Sequence, residues 1–350
     1  MALDVAYNAL LSAGDLAALA LAARQALCGR RSLAPLGLAA FALALALLVH
    51  PGIFDRMRLL SSAAFVHAPL VAAALALIWR RRPGPDAWAY GLAAAALAAV
   101  GVDAFFIEPT ALEVSRLRVE SDKVSRPLTI VLIADLQTDD FGDYERRALS
   151  LALAEKPDLV LFAGDYLQPP RSELGAQRAA LRDYLRSSGF GAPLGAFAVR
   201  GNVDHDGWAE AFAGTNVVAF EATRSVDVGE VRVTGLSVED SFDRSLSLPP
   251  SDRFHVVVGH GPDFALGLSE GDLLLAGHTH GGQVRLPLYG PLITFSSVPR
   301  AWAAGVTDLS WHRTLVVSRG VGHERGPAPR LRFLCRPELY VLRVEPAPKR

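Results

Sequence analysis

The stretch Gly277-His278-Thr279-His280-Gly281-Gly282-Gln283 decides how the second half of the chain is interpreted. It follows the apolar run 273–276, which predicts a buried strand that ends at the first glycine. Two histidines one residue apart at a strand end can present imidazoles to neighbouring metal ions, and the glycines allow close approach of backbone and ligands. The alternative is a turn with two solvated histidines. Only further candidate ligands elsewhere in the chain can decide between the two interpretations.

Four apolar runs upstream end in the same manner, each in a short polar loop. These predicted strands cover residues 127–134, 159–163, 196–199 and 254–258, with helical patterns at 144–155 and 172–185 between them. In open α/β sheets, ligands gather at the carboxyl ends of the strands. The polar residues at the five strand ends are Asp135, Asp165, Asn202, His260, His278 and His280. Such oxygen and nitrogen ligands suit a pair of divalent ions bridged by one carboxylate.

The order of these motifs resembles that of the calcineurin-like metallophosphoesterases, and among them the membrane-anchored bacterial members. The family order is Asp-x-His, Gly-Asp, Gly-Asn-His-Asp, Gly-His and Gly-His-x-His. The matching stretches here are Asp135-Leu136-Gln137, Gly164-Asp165, Gly201-Asn202-Val203-Asp204, Gly259-His260 and Gly277-His278-Thr279-His280. The resemblance implies an α/β fold for residues 108–350: a four-layer sandwich of two mixed β-sheets flanked by helices.

The resemblance also implies a role for each matching residue. Asp135, Gln137 and His280 would bind a first divalent ion, and Asp165 would bridge it to a second. Asn202, His260 and His278 would bind the second ion. The ions would be Mn²⁺, Mg²⁺, iron or zinc, and would activate a water that attacks phosphorus.

Two residues depart from the family pattern. Gln137 stands where a histidine is usual, and its amide oxygen is a weaker, oxygen-type ligand that favours Mg²⁺ or Mn²⁺. Asp139 or Asp140 could compensate, or could belong to a solvated loop. Val203 replaces a histidine that helps the leaving group depart. We assign Asp204 and His205 as the candidate catalytic residues, although His205 could also be a surface histidine.

Composition places a membrane module before this domain. The 35 Lys+Arg and 36 Asp+Glu residues give a formal net charge of −1, so we expect no nucleic-acid partner. Hydrophobic residues make up 51% of the chain and concentrate before Ile107. Leu33–Val49, Leu59–Trp79 and Trp88–Ile107 predict three transmembrane helices, and residues 1–31 predict an interfacial helix because charges interrupt it. A soluble bundle of Ala/Leu helices, or a fourth span at the N-terminus, are the alternatives.

The arginines predict the orientation of this module. Six of them would lie on one side of a three-span arrangement, namely Arg24, Arg30, Arg31, Arg80, Arg81 and Arg82. Arg56 and Arg58 would lie on the other side. Because positive residues favour the cytoplasmic side, we expect the domain after Ile107 to lie outside the cytoplasm.

The expected function is metal-dependent hydrolysis of a phosphoester at a membrane surface, with a lipid-linked or phospholipid-like substrate as one option. The alternative is a degenerate family member that binds metal or ligand as a membrane scaffold without turnover. Gln137 and Val203 support that alternative, whereas the six retained ligands speak against it.

Overall fold

The computed structural model describes residues 2–28, 30, 32–82, 84–309 and 313–348. The chain divides into two compact units. One consists of residues 1–107 with 326–330, and the other of residues 108–325 with 331–350. The first unit is helical, and the second contains the strands.

The helical unit is built from long apolar helices. Their bounds are α1 (Ala2–Leu27), α2 (Ala34–Val49), α3 (Ile53–Ser62), α4 (Ala68–Trp79) and α5 (Asp86–Val102). A π-helical segment, Ala63–His67, joins α3 to α4, and another, Asp103–Ile107, extends α5.

Within the described residues, three helical segments are long and apolar enough to cross a membrane by length and composition: Leu3–Leu27, Ile53–Trp79 and Asp86–Thr110. The 16-residue helix α2 is shorter, about 24 Å at 1.5 Å per residue. The sequence predicts the same number of spanning helices, but it assigns one of the three spans to a different helix. The helix expected at the interface has spanning length, and the segment expected to span first is the short one.

The charge that suggested an interfacial α1 lies against a partner inside the helical unit. Asp15 Oδ2 lies 2.6 Å from Nδ1 of His67, and Nε2 of the same imidazole lies 3.0 Å from Asn8 Oδ1. Asn8 donates its amide N–H to the carbonyl of Asp4, which orients its oxygen towards the imidazole. Because this pairing depends on residues about 50 positions apart, the local pattern of α1 could not reveal it.

The packing of the helices defines their directions. Near its start, α1 places Tyr7 against Ala42 in the second half of α2, with a hydrogen bond of 3.2 Å from the hydroxyl to the carbonyl. At the other end of α1, Arg82, just after α4, donates to the carbonyl of Leu27 over 3.1 Å. Helix α1 is therefore antiparallel to α2 and parallel to the α3–α4 rod.

The second unit contains two six-stranded mixed sheets and a small hairpin. The first sheet has the order β1-β14-β2-β3-β4-β5 and the second the order β12-β13-β9-β8-β7-β6. The strands are β1 (Glu113–Ser121), β2 (Leu128–Ile133), β3 (Leu159–Phe162), β4 (Ala196–Val199), β5 (Val217–Phe220), β6 (Arg224–Val228), β7 (Val231–Gly235), β8 (Phe254–Val258), β9 (Leu273–Ala276), β10 (Arg285–Leu286), β11 (Gly290–Pro291), β12 (Gly305–Leu309), β13 (Arg313–Val317) and β14 (Glu338–Pro346). The helices are α6 (Asp143–Ala154), α7 (Leu174–Ser187) and α8 (Val238–Phe242).

Alternation along the strands divides the core into layers. In β2, Ile130 and Leu132 pack between the two sheets together with Val256 and Leu275, whereas Val131 faces the layer that contains α6 and α7. Successive side chains of a strand point to opposite faces, so a strand buried on both sides is apolar throughout. Two mixed sheets flanked by helices confirm the predicted sandwich.

The parallel strands position the site. β2, β3, β4 and β5 run parallel in the first sheet, and β7, β8, β9 and β13 run parallel in the second. The carboxyl ends of parallel neighbours lie at one edge of each sheet, which is where the polar loops begin.

Candidate metal centre

The structure brings together ligands from both sheets at this edge. Asp135, Asp165 and His260 place ligand atoms within 4.8 Å of one another, and all three residues are buried. His260 Nε2 lies 3.2 Å from Asp165 Oδ2 and 2.7 Å from Asn202 Oδ1. Strands β3, β4 and β8 therefore deliver one carboxylate, one amide and one imidazole to the same point.

The hydrogen bonds of His260 show that this point suits a cation. Its Nδ1 lies 2.8 Å from the carbonyl of Ala163 and must donate to it, so Nε2 alone faces the oxygens of Asp165 and Asn202. Burial lowers the pKa of His260, but the charge and hydrogen bond of Asp165 outweigh burial and raise it to about 9. A proton or a metal ion at Nε2 satisfies both oxygens, and a divalent ion binds the unprotonated nitrogen.

His278 lies beside this group of ligands. Its ring centroid lies 5.0 Å from that of His260, and its Nε2 lies 3.1 Å from the carbonyl of Phe295. Donation to that carbonyl leaves Nδ1 unprotonated in the neutral imidazole, as metal binding would require. Burial, followed by the charge of His260, lowers the pKa of His278 to about 4, so the imidazole is neutral at neutral pH. Its backbone N–H donates to the carboxylate of Asp135 over 3.0 Å, which links the two sheets.

A second group of atoms fits the predicted first ion. Gln137 Oε1 and His280 Nε2 are buried and have no hydrogen-bond partner among the residues that the structure describes. Gln137 Nε2 donates to Gln168 Oε1 over 3.0 Å, which identifies the amide oxygen as the unpaired atom. Burial and the guanidinium of Arg332 hold the pKa of His280 well below its ordinary value. These two unpaired atoms lie in the loops that follow β2 and β9, which also carry Asp135 and His278. A bound metal ion would satisfy such buried polar atoms.

The backbone at the ligands is strained. Five candidate ligands have positive φ: Asp135 at 48°, Gln137 at 30°, Asp165 at 53°, His278 at 67° and His280 at 48°. Non-glycine residues rarely adopt this region, and such residues concentrate at functional sites where the surrounding structure holds them.

Two glycines make room for the carboxylates. A Cβ atom at Gly201 would lie 2.0 Å from Asp165 Oδ1, and one at Gly277 would lie 2.6 Å from Asp135 Oδ2. Both distances are too short for any side chain. The glycines of the Gly-Asn and Gly-His pairs are therefore required by the space that the carboxylates occupy.

The two candidate catalytic residues lie in different surroundings. Asp204 is buried, and its carboxylate accepts backbone N–H groups from Asp165, Tyr166 and Gly201 at 2.8–2.9 Å. It therefore ties the loop after β3 to the loop after β4. His205 is half-buried and lines a small cleft with Trp208 and Asp204.

The acidic residues that could have compensated for Gln137 have other partners. Asp139 forms an ion pair with Arg325 at 3.6 Å, and Asp140 Oδ1 accepts from Gln177 over 3.3 Å. At Val203 the backbone N–H donates to Asp165 Oδ1 over 2.9 Å, so this position holds the Asp165 carboxylate without an imidazole.

Two residues beside the centre, Gln168 and Arg332, had no local signal in the sequence. Gln168 accepts from Gln137 and from the backbone of Arg325, and its Nε2 lies 3.4 Å from Glu324. Arg332 is fully buried and places Nη2 3.4 Å from His280 Nδ1. Both belong to contacts between segments distant in sequence, which pattern and spacing do not report.

Comparison with known proteins agrees with the site. The family model for the calcineurin-like phosphoesterase matches residues 128–282. The chain is 30% identical over 277 residues to the uncharacterized metallophosphoesterase YkuE of Bacillus subtilis, covering 73% of this chain and 93% of that protein. It is also 30% identical over 257 residues to the phosphodiesterase YaeI of Escherichia coli, covering 68% of this chain and 90% of that protein. On these grounds, and with the ligand arrangement described above, the chain belongs to the calcineurin-like metallophosphoesterases.

Proposed function

We propose that this protein hydrolyses a phosphoester at a membrane surface with the help of two divalent ions. Asp165 would be shared between the ions. The remaining ligands would be Asp135, Gln137 and His280 for the first ion, and Asn202, His260 and His278 for the second. Bound there, the ions would supply a water of lowered pKa and positive charge opposite the phosphoryl oxygens.

One observation carries this proposal: buried polar atoms of the candidate ligands lack complementary hydrogen-bond partners. His260 Nε2 faces two oxygens, and Gln137 Oε1 and His280 Nε2 have no hydrogen-bond partner in the described part of the chain. Leaving such groups unpaired is costly, because each loses its hydration on burial. Cations at both positions would remove that cost.

The protein side chains have distinct proposed roles. His278 and His260 would be held as neutral ligands by the carbonyls of Phe295 and Ala163. Asp204 would act as a positioning residue, because its carboxylate is occupied by backbone N–H groups. His205 remains our candidate for assisting the leaving group, where Val203 supplies no proton.

The orientation of the membrane module also remains a proposal. Arg82 lies at the end of the bundle where α1 finishes, whereas Arg58 donates to Asp4 over 2.9 Å at the end where α1 begins. This partition of the arginines follows from helix packing and is the same for three or four crossings. Arg31 lies outside the described residues. The excess of arginines at the Arg82 end supports a cytoplasmic location for that end, and an extracytoplasmic catalytic domain.

The test uses the purified full-length protein with Mn²⁺ or Mg²⁺. We expect two ions per chain by inductively coupled plasma mass spectrometry, and hydrolysis of at least one member of a panel of phosphomonoesters and phosphodiesters. Asn202→Ala and His278→Ala should each lose one ion and most activity, whereas Asn216→Ala, at another exposed asparagine, should lose neither. Absence of turnover with two ions bound would refute hydrolysis.

The second candidate function is a metal-binding scaffold without turnover. Gln137 weakens the first site, and Val203 removes the usual proton donor. A single bound ion, together with no activity on any panel member, would favour this function.

A further inference from the structure

An exposed apolar segment lies beside the metal centre. It spans residues 284–295, contains the two-stranded hairpin β10–β11, and is called the apolar hairpin below. Its large exposed side chains are Leu286, Leu288, Tyr289, Leu292 and Phe295, each between 41% and 111% exposed. Single exposed apolar residues are common, but several within 10 residues of one hairpin form a patch of the kind that marks a binding surface.

The backbone of the apolar hairpin is strained at two of these bulky residues. Leu288 and Phe295 have φ of 65° and 50°, a region that suits glycine or asparagine better than a bulky side chain. Neither side chain is buried: Leu288 is fully exposed at the tip, and Phe295 is 51% exposed. Folding of this unit explains neither the strain nor the exposure. Both are consistent with a binding partner outside the folded chain that covers the hairpin.

The apolar hairpin is anchored to the metal centre at its C-terminal end. The carbonyl of Phe295 accepts from the imidazole of His278 at 3.1 Å. The next residues, Ser296 and Ser297, donate to the carboxylate of Asp263 at 2.5 and 2.7 Å. At the other end, the segment begins four residues after the candidate ligand His280. Both ends of the apolar hairpin therefore meet the edge of the sheets where the candidate ligands lie.

An arginine lies against the tyrosine beside the tip. The guanidinium of Arg300 lies 4.4 Å from the ring centroid of Tyr289, and Arg285 lies within β10. Leucine and aromatic side chains with neighbouring arginines match the interface of a bilayer that carries anionic headgroups. The same chain contains apolar helices of spanning length, so this domain is tethered to a bilayer whenever those helices are inserted.

We propose that the apolar hairpin enters the headgroup region of an anionic bilayer and admits a phosphoester with hydrocarbon chains to the metal centre. This substrate class rests on the proposed phosphoesterase function, whereas insertion of the hairpin does not. The two parts are therefore tested by separate measurements.

Insertion is tested on the full-length protein in vesicles of phosphatidylcholine and phosphatidylglycerol. Leu288→Cys, in a Cys28→Ser background, carries an environment-sensitive nitrobenzoxadiazole label, and Val218→Cys on β5 is the control because Val218 is 47% exposed. We expect a blue shift and quenching by spin-labelled lipids at position 288 only, and a weaker effect in pure phosphatidylcholine. A label at position 288 that remains in water overturns the proposal, including the case in which the hairpin binds a protein instead.

Substrate delivery is tested with a soluble aryl phosphodiester and a long-chain lipid phosphodiester in the same vesicles. Leu288→Asp should change turnover of the soluble diester by less than about twofold, as surface substitutions usually do. It should lower turnover of the lipid diester by about tenfold or more, the factor that one leucine side chain supplies when it leaves water. Val218→Asp should affect neither. Equal effects on both substrates would refute delivery, whereas a wild-type protein inactive on both would refute the proposed function and leave the label experiment decisive for insertion.

Discussion

Replacement of Asp204 by asparagine tests whether Asp204 positions the loops around it or takes part directly in catalysis. The Asp204 carboxylate accepts three backbone N–H groups, two at Oδ2 and one at Oδ1. In Asp204→Asn, one oxygen can keep two of these bonds, but the amide nitrogen must then face the N–H of Tyr166. Each buried donor left without an acceptor costs about 1–3 kcal/mol, so we expect a loss of about 3 kcal/mol in the free energy of unfolding. For a unit of this size, that loss lowers Tm by roughly 6–12 °C.

The pH dependence of this loss has a definite sign in the metal-free protein. Burial, followed by the charge of Asp165, raises the pKa of Asp204 above its ordinary value. The folded state therefore keeps the proton of Asp204 at pH values where the unfolded state has released it. The stability that this provides is complete below about pH 4 and is lost as pH rises to the raised pKa. Asparagine does not titrate. The difference between wild type and variant should be largest at acidic pH and should shrink towards neutral pH.

The assay combines thermal unfolding with activity measured against metal concentration. Because Asp204 holds the loops of Asp165 and Asn202, the variant should need more metal but should recover much of its kcat at saturation. Asp206→Asn is the control, since Asp206 is a fully exposed acid two residues away. A variant with unchanged Tm and metal affinity but a kcat that stays low at saturating metal would refute positioning and indicate direct catalysis.

Three further results follow from the site and from the helical unit. Because Asp165 raises the pKa of His260 to about 9, this imidazole carries a proton at pH 7–8 that a metal ion must displace. Binding should therefore release roughly one proton per second-site ion, measured by calorimetry in buffers of different ionisation enthalpy; zero release would show that His260 is not a ligand. Gln137→His should tighten the first ion on the order of tenfold in a competition titration with a metal indicator, and unchanged affinity would exclude Gln137 from the site. Asp15→Ala should leave the His67 imidazole without its hydrogen-bond partner and destabilise the helical unit by roughly 1–3 kcal/mol in detergent unfolding. The double variant with His67→Leu should recover part of this loss; equal stability of the single variant and wild type would contradict the pairing.

Local pattern was sufficient wherever a structural feature depended on neighbouring residues. The sequence predicts the strands over 196–199, 254–258 and 273–276 with the bounds that the structure shows, because short apolar runs followed within two residues by a glycine are local signals. The order of ligand types along the chain was likewise readable, since each candidate ligand directly follows a strand. Strand β14 was not predicted, although it lies between β1 and β2, because its pairing joins opposite ends of the domain.

The sequence by itself determined which chemical groups could reach the edge of the sheets, because strand ends and the polar residues after them lie within a few positions of one another. Only the tertiary structure decided how those groups are used. It turned Asp204 towards backbone N–H groups, oriented Gln137 through Gln168, and paired Asp15 with His67 in the helical unit. Each of these contacts joins segments about 30 or more residues apart, where the energy depends on packing and register rather than on local propensity.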